Sequence, residues 1–314
     1  MASVRRASDR SAGRPGTAER GRRTGPSPAR NRFRDADPYR AEREWTRYEG
    51  TAQRELWRTL RERFLVRHAV ASAWALDLGS GPGRFTRVLG DPTTHRVALD
   101  VSTEMLRSAR RHEPPAPASG TPSDLVRADG RLPPFLPESF GTVAVLGNTL
   151  GFAGNAAGAL QQVAVSLVAP GGLLLLEVAP GPGERSRYLA RLPPTSLARL
   201  LRAPVRALIP RVGREGFDTM PFRKSEEGEF RRMLPEEVCR ALPLPDWEVR
   251  EVQAVAPSLG PLASRIEQVR SDPKAWEHLL ELEEEVGRQP ERWKHAAAVL
   301  IAARSLRPPM GRIK

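Results

Sequence analysis

Cysteine is nearly absent: Cys239 stands alone among 314 residues. One thiol makes no internal disulfide and no cysteine zinc cluster, which predicts a reducing, cytoplasmic setting. Lysine is scarce as well, with Lys224, Lys274, Lys294 and Lys314 set against 46 arginines. No apolar run approaches the ~20 residues a membrane helix needs. The most apolar stretch, Val163 to Pro180, is broken by Ser166, Pro170 and the pair Gly171–Gly172. Arg5–Arg6 near the N-terminus is followed by no apolar run, so neither a secretory nor a twin-arginine signal is expected.

What the chain has in excess is positive charge, +13 in all. Residues 1–34 hold ten arginines against Asp9 and Glu19, a net of 10 − 2 = +8, leaving 13 − 8 = +5 for the other 280. The basic character belongs mostly to a tail. The tail has almost no large apolar side chains and cannot offset chain entropy by burial, so it is expected to be disordered. Its arginines read either as contacts for a polyanion or as compositional bias toward Arg, Pro and Ala, and charge points only weakly to a partner. Hydrophobic residues make up 39% of the chain, enough to build a sizeable core over residues 35–310.

From Tyr39 onward the pattern becomes periodic. Ala52, Leu56, Leu60 and Phe64 form the stripe of an amphipathic helix. "AWALDLGSG" reads as a strand entering a glycine loop, "GRFTRVLG" as a helix start, and "RVALDVS" as a second strand. "STEMLRSARR" is a helix with Ser102, or alternatively Thr103, as N-cap. "PSDLVRADG" and "FGTVAVLGNTLGF" read as third and fourth strands. "AGALQQVAVSLVAP" is a helix closed by Pro170–Gly171–Gly172, and "GLLLLEVAP" a fifth strand, apolar on both faces and therefore interior. Alternating strands and helices predict an α/β fold with a doubly wound, mostly parallel sheet. Beyond Pro180 come a helical piece at Ser196 to Leu208, the polar "FRKSEEGEF", a helix at "LPEEVCRAL", and strands at "DWEVREVQAVAP" and "HAAAVLIAARS". The helical "PKAWEHLLELEEEVGR", with Trp276, Leu279, Leu280 and Val286 on one face, falls between those last strands.

The chemistry centres on "ALDLGSGPGRF", residues 75–85. A glycine turn between a strand and a helix is expected to bring a ligand against backbone N–H groups. The spacing is G-x-G-x-G, with Arg84 and Phe85 where a dinucleotide fingerprint places its last glycine. Asp100 ends the second strand, 21 residues after Gly79, where a carboxylate accepts two hydrogen bonds from vicinal ribose hydroxyls. Asp129 follows the third strand, placed to accept from an amino group such as that of adenine. All these strand ends open on one crevice.

Together "ALDLGSGPGRFTRVL", "VALDVSTEML", "ADGRLPPF" and "LLLLEVAP" resemble successive motifs of the class I S-adenosylmethionine (SAM)-dependent methyltransferases, especially those acting on small molecules. The resemblance covers about residues 74–180 and implies a seven-stranded Rossmann-like sheet with SAM as cofactor. It implies that Asp77 and the backbone of Gly79 and Gly81, with Ser80 and Gly83 in the same loop, face the methionine part. Asp100 would bind the ribose hydroxyls, Ser102 and Met105 would lie near ribose and adenine, and Asp129 and Gly130 would hold the adenine edge. Gly147 and Asn148 would line the pocket and face the acceptor. Asp77 reads equally as a partner of loop N–H groups, and Met105 equally as core.

The family often transfers the methyl by positioning alone, so no catalytic residue need be visible. "GNTLGF" departs from the Asn/Asp-Pro-Pro-aromatic motif of base N-methyltransferases, which argues against adenine or glutamine amide methylation. Cys239 stands in no catalytic motif. Asn148, His278 and Tyr48 are the candidates for a catalytic role; His95, His112 and His295 are bases by type only. Residues 181–233 are expected to rise as a substrate cover. The insertion 257–293 either arches over the substrate side, bringing Trp276, His278 and Trp293 there, or packs on the flank. The N-terminal helix around Trp45 and Tyr48 would close the other side. The leading reading is a methyltransferase for a small-molecule acceptor. The alternatives are an RNA methyltransferase using the arginine tail, a SAM-binding protein without transfer activity, and, more distantly, a nicotinamide oxidoreductase. No membrane partner and no metal is expected.

Overall fold

The computed structural model describes residues 38–69, 71–113, 122–180, 184–186, 217–219, 232–243, 245–257, 265–293, 296 and 298–308. The arginine tail, the helical piece at Ser196 to Leu208, "FRKSEEGEF" and His295 lie outside them.

The strands are β1 (Trp74–Leu78), β2 (His95–Asp100), β3 (Asp124–Arg127), β4 (Phe140–Val145) and β5 (Val168–Val178), then a short pair β6 (Glu184–Ser186) and β7 (Phe217–Thr219), then β8 (Trp247–Ala254) and β9 (Val299–Ser305). Seven of them form one sheet in the order β3-β2-β1-β4-β5-β9-β8. The contacts from β3 to β5 are parallel, and β9 runs antiparallel between β5 and β8. β8 therefore runs in the direction of β5, and β5 is interior as its two-faced apolarity predicts. β6 and β7 make a separate antiparallel pair within the expected cover.

The period of two sorts the strand residues between two cores. Leu76, Leu78, Val143, Val145, Leu174 and Leu176 face α5 (Ala157–Leu167) and α6 (Pro235–Arg240). Gln161 of α5 donates to the Val238 carbonyl of α6 at 2.8 Å. Ala75, Ala144, Leu175 and Leu300 face α2 (Ala52–Arg67), α7 (Ile266–Arg270) and α8 (Pro273–Gly287). The stripe Ala52, Leu56, Leu60 and Phe64 is fully buried on this face. Thr51 caps α2 by accepting from the Arg54 N–H, and Glu267 of α7 accepts from the Ala52 N–H at 2.7 Å.

Three expectations are corrected, and one open alternative is decided. "GRFTRVLG" does not start an α-helix; it makes one 3-10 turn, Thr86–Val88. The cause is close at hand: Asp91 accepts from the Thr93 amide and from the Thr93 and Thr94 hydroxyls, turning the chain straight into β2. The fourth strand stops at Val145; "GNTLGF" is a turn followed by α4 (Thr149–Phe152). Pro170–Gly171–Gly172 does not close a helix but lies inside β5, where the register with β4 shifts. The described part of the insertion packs on the flank: Leu279 and Leu280 are buried against the α2 side of the sheet, and Val286 on the same helix is buried as well.

Glu251 on β8 fastens that flank. It accepts from Arg67 at 3.0 Å, Arg288 at 2.9 Å and His68 at 2.8 Å. Burial pushes its carboxyl up, but His68, Arg288 and Arg67 outweigh this and hold it at about 2. Its folded pKa is depressed, so its contribution is complete above the ordinary Glu value and is lost as pH falls through that value toward 2. Glu251→Gln is expected to flatten the acid limb of the stability curve between about pH 4.5 and 2. Denaturant titrations at stepped pH measure this, and an unchanged limb refutes it.

Candidate active site

The C-terminal ends of β1, β2, β4 and β5 meet at one edge of the sheet, and each carries a polar anchor. Asp77 on β1 is 2% exposed and accepts from the Thr86 hydroxyl at 2.7 Å. Burial pushes its carboxyl up to about 7; the Thr86 bond opposes this and nearby Asp100 adds to it. Asp100, at the end of β2, accepts from the Gly81 N–H at 2.9 Å and from the Ser102 N–H at 2.8 Å, one on each oxygen. Burial raises its carboxyl too, against the pull of the Ser102, Gly81 and Val101 amides.

The glycine loop is organised inward. The Gly79 and Ser80 amides both donate to the Leu99 carbonyl, Gly81 donates to Asp100, and Gly83 donates to the Ser80 carbonyl. The expectation that the loop turns its N–H groups to a ligand is corrected here, because these donors have partners within the protein. A phosphate would find little at these positions, which sets the loop apart from a dinucleotide cradle. Gly79 is required for contact: φ is +77°, and a Cβ would sit 2.8 Å from the Thr149 hydroxyl oxygen and closer still to its methyl. The Thr149 hydroxyl donates to the Leu146 carbonyl at 2.6 Å and lies 3.2 Å from the Gly79 carbonyl, joining the β1 and β4 ends.

Gly147 and Asn148 follow β4, both with φ near +60°. Asn148 is held left-handed at φ 63°, and its side-chain oxygen is buried with no hydrogen-bond partner. The Gly147 N–H donates to Glu177 at 3.3 Å. Glu177 of β5 is fully buried and receives both Nε and Nη2 of Arg61 on α2, at 3.0 and 2.9 Å. Burial alone would raise the Glu177 carboxyl, but Arg61, the Gly147 amide and Arg47 together hold it below its ordinary value. Arg61 also lies over the Tyr48 ring at 5.3 Å. Neither Arg61 nor Glu177 was singled out in the sequence.

Two unusual loop residues, Arg84 and Phe85, anchor the N-terminal segment. The Arg84 guanidinium, 4% exposed, donates to the Trp45 carbonyl and the Glu49 carboxylate and lies 4.2 Å over the Trp45 ring. Phe85 meets Tyr48 edge-on at 5.5 Å. The helix before Trp45, α1 (Pro38–Trp45), packs on α3 (Thr103–His112), with Ala41 against Met105. The chain from α1 to α2 thus runs from α3 to the glycine loop, over the ends of β2 and β1.

Residues 76–176 match the methyltransferase-domain family. Those residues carry a methyltransferase domain of the class I, SAM-dependent kind. Its methyl donor is S-adenosylmethionine and its activity is methyl transfer. Among solved structures it is similar to the [4+2]-cyclase SpnF (15% identity, 80% of each chain covered, TM-score 0.44). A SAM-dependent methyltransferase from Mesorhizobium loti is 18% identical over 82% of this chain and 99% of that one, with TM-score 0.46. Geranyl diphosphate C-methyltransferase from Streptomyces coelicolor is 13% identical over 79% of each chain, with TM-score 0.43. Likenesses this distant say nothing of the acceptor. Among curated proteins, none matches the chain in sequence.

The other candidate residues of the methyltransferase domain are distributed as follows. Ser102 caps α3, accepting from the Met105 N–H, and Met105 is core, 1% exposed. Asp129 and Gly130 follow β3; the Asp129 carboxylate accepts from Arg131 Nε at 2.9 Å and from the Arg131 amide. Tyr48 is buried among Phe85, Arg61 and Arg47. His278 and Trp276 sit on α8, and the Trp293 indole donates to the Gly287 carbonyl, so this group belongs to the flank. His95 stacks on Trp74 at the opposite ends of the strands, and His112 stacks on Trp45 at 4.1 Å. Cys239 is half-buried on α6, its thiol pushed up to about 11 chiefly by burial, a poor nucleophile. No helix among the described residues is long and apolar enough to cross a membrane.

Proposed function

We propose that this methyltransferase acts on a small-molecule acceptor held between the strand ends and the α1–α2 segment. The observation that carries the reading is the anchoring of Trp45 and Glu49 by Arg84 of the glycine loop. That latch narrows the approach to the strand ends, which suits a small acceptor better than a duplex. The residues present fit the cofactor: Asp77 and Asp100 are buried carboxylates on neighbouring strands, and the open sides of Gly81 and Gly147 leave space where a Cβ would meet nothing within 4 Å.

On this reading SAM supplies an electrophilic methyl on a sulfonium. Asp100, already fixed by two amides, accepts from the ribose hydroxyls. Asp77 offsets the positive charge of the methionine part, in the loop shared with Gly79, Ser80, Gly81 and Gly83. Ser102 and Met105 shape the ribose and adenine end, and Asp129 and Gly130 hold the adenine edge. Asn148 directs its unpartnered oxygen to a donor on the cofactor or the acceptor, and catalysis rests on alignment and exclusion of water. The site in this form belongs to a domain over 35–310, and the arginine tail is not needed for it.

The test is label transfer from methyl-labelled SAM into host extract, separated into small-molecule, RNA and protein fractions. Label is expected among small molecules. Asp100→Ala is expected to weaken SAM binding about 100-fold, since hydrogen bonds to a charged group are lost, and to abolish the label. Label confined to RNA, and lost on removing residues 1–34, would sink the small-molecule reading and favour the RNA alternative.

A further inference from the structure

Two consecutive residues after β4 are left-handed, Gly147 at φ 61° and Asn148 at φ 63°. That backbone is uncommon for a residue with a side chain and persists only where its surroundings hold it. The far side of the turn is well tied. The Thr149 amide and hydroxyl both donate to the Leu146 carbonyl, at 3.1 and 2.6 Å, and the Phe152 N–H donates to the Asn148 carbonyl at 3.1 Å. The near side is open: a Cβ on Gly147 would meet nothing within 4 Å, so no neighbour props the residue there. Its amide is held instead, donating to Glu177 at 3.3 Å.

Strand register brings the carboxylate to that point. Val145, the last residue of β4, lies opposite Leu176, so Glu177 is level with Leu146, one residue before Gly147. Alternation turns Glu177, like Leu175, toward α2. There Arg61 donates Nε to one carboxylate oxygen at 3.0 Å and Nη2 to the other at 2.9 Å. The oxygen that takes Nε also takes the Gly147 N–H. Arg61 is fixed in turn by its Nη1 bond to the Trp57 carbonyl, 3.0 Å. A buried ion pair stabilises little over an apolar pair of similar size, but an apolar pair holds no amide. The third bond is the one that reaches the strand ends.

Resting on the reading above that Gly147 and Asn148 line the crevice, we propose that Arg61 and Glu177 are positioning residues for methyl transfer. α2 supplies a cation, the cation orients the Glu177 carboxylate, and the carboxylate sets the Gly147–Asn148 turn against which SAM is aligned. Neither residue touches the reacting atoms.

Two double variants of the full chain test this, and neither leaves a lone buried charge. Arg61→Leu with Glu177→Leu removes the partner of the Gly147 amide. Arg61→Leu with Glu177→Gln puts an oxygen back in its place. Calorimetry with SAM and hydrogen–deuterium exchange of peptides spanning Leu146 to Phe152 are read beside Tm. In the leucine pair, at a Tm near that of wild type, SAM affinity is expected to fall about tenfold, the scale of one hydrogen bond, and the turn to exchange several-fold faster. The glutamine pair is expected to recover most of both. Wild-type SAM affinity in the leucine pair overturns the proposal. So does an equal loss in the glutamine pair, because the two residues would then act by packing and not through the amide. Asn148→Ala separates the proposal from the reading beneath it. If that variant loses SAM affinity or label transfer while the leucine pair matches wild type, the turn stays in the site and the role of Arg61 and Glu177 falls. If Asn148→Ala also matches wild type in both, the placing of the turn in the site falls with it.

Discussion

Arg61→Leu is expected to cost about 3–5 kcal/mol of stability, which in a domain of this size is on the order of 10 °C in Tm. The reason is the position of its partner. Glu177 is fully buried on an interior strand, and Arg61 donates two of the three hydrogen bonds that its carboxylate receives. With Arg61 gone, the carboxylate keeps only the long bond from Gly147 and must either stay charged without a counter-ion or take up a proton. Either course is expensive in a site closed to water. Glu177→Leu alone should cost nearly as much, by stranding the guanidinium. The double variant, Arg61→Leu with Glu177→Leu, should recover most of the loss, because paired burial of charge stabilises little over an apolar pair of similar size. Denaturant midpoints at constant m-value provide the measurement. A single-variant loss below ~1 kcal/mol would mean that water reaches the pair, and the account of the β5 end would fall. The double variant should bind SAM less well than its stability suggests, because the Gly147–Asn148 turn loses the carboxylate that fixes its amide.

This pair also marks where reading the sequence stopped. Strands β1, β2 and β5 were legible because their apolar runs end at punctuation, glycine loop or proline, that a sheet must obey. Asp77 and Asp100 were legible because a carboxylate at a strand end has few other uses. Arg61 was hidden for the opposite reason: it is one of 46 arginines, set within the stripe of α2, and its partner lies 116 residues away. Glu177 alone gave a signal, as the sole charge in an apolar strand that had to be buried, and a buried carboxylate demands a cation. The truncated helix after the glycine loop was also announced, by Gly90–Asp91–Pro92 only seven residues beyond Gly83. The strand-loop-helix template of the nucleotide-binding folds obscured it. The same template led to the expectation of ligand-facing amides. Only the structure reveals that Leu99 and Asp100 had already engaged them.

Asp77→Asn is expected to stabilise the cofactor-free protein at pH 8 while weakening its hold on SAM. The Asp77 carboxyl is raised from its ordinary 3.8 to about 7 by burial. Above pH 7 it is charged in folded and unfolded chains alike, and the folded state bears the full cost, on the order of 4 kcal/mol. As pH falls from 7 toward 4 the folded state takes up the proton first, so this group makes the protein more stable, the reverse of the paired Glu251. Asparagine keeps an oxygen for the Thr86 hydroxyl and removes the charge. Its stabilisation should therefore be largest at pH 8 and vanish by about pH 4. A binding site that tolerates this cost has a use for the charge, and on the proposed reading the use is the positive methionine end of SAM. Binding should then favour the ionised carboxylate. In wild type at about pH 6, calorimetry in buffers of different ionisation enthalpy should show up to one proton released per SAM bound, and in Asp77→Asn none. If Asp77→Asn is less stable than wild type at pH 8, the bond from Thr86 outweighs burial and the carboxylate is structural. If it is more stable yet binds SAM unchanged, the charge serves something other than the cofactor.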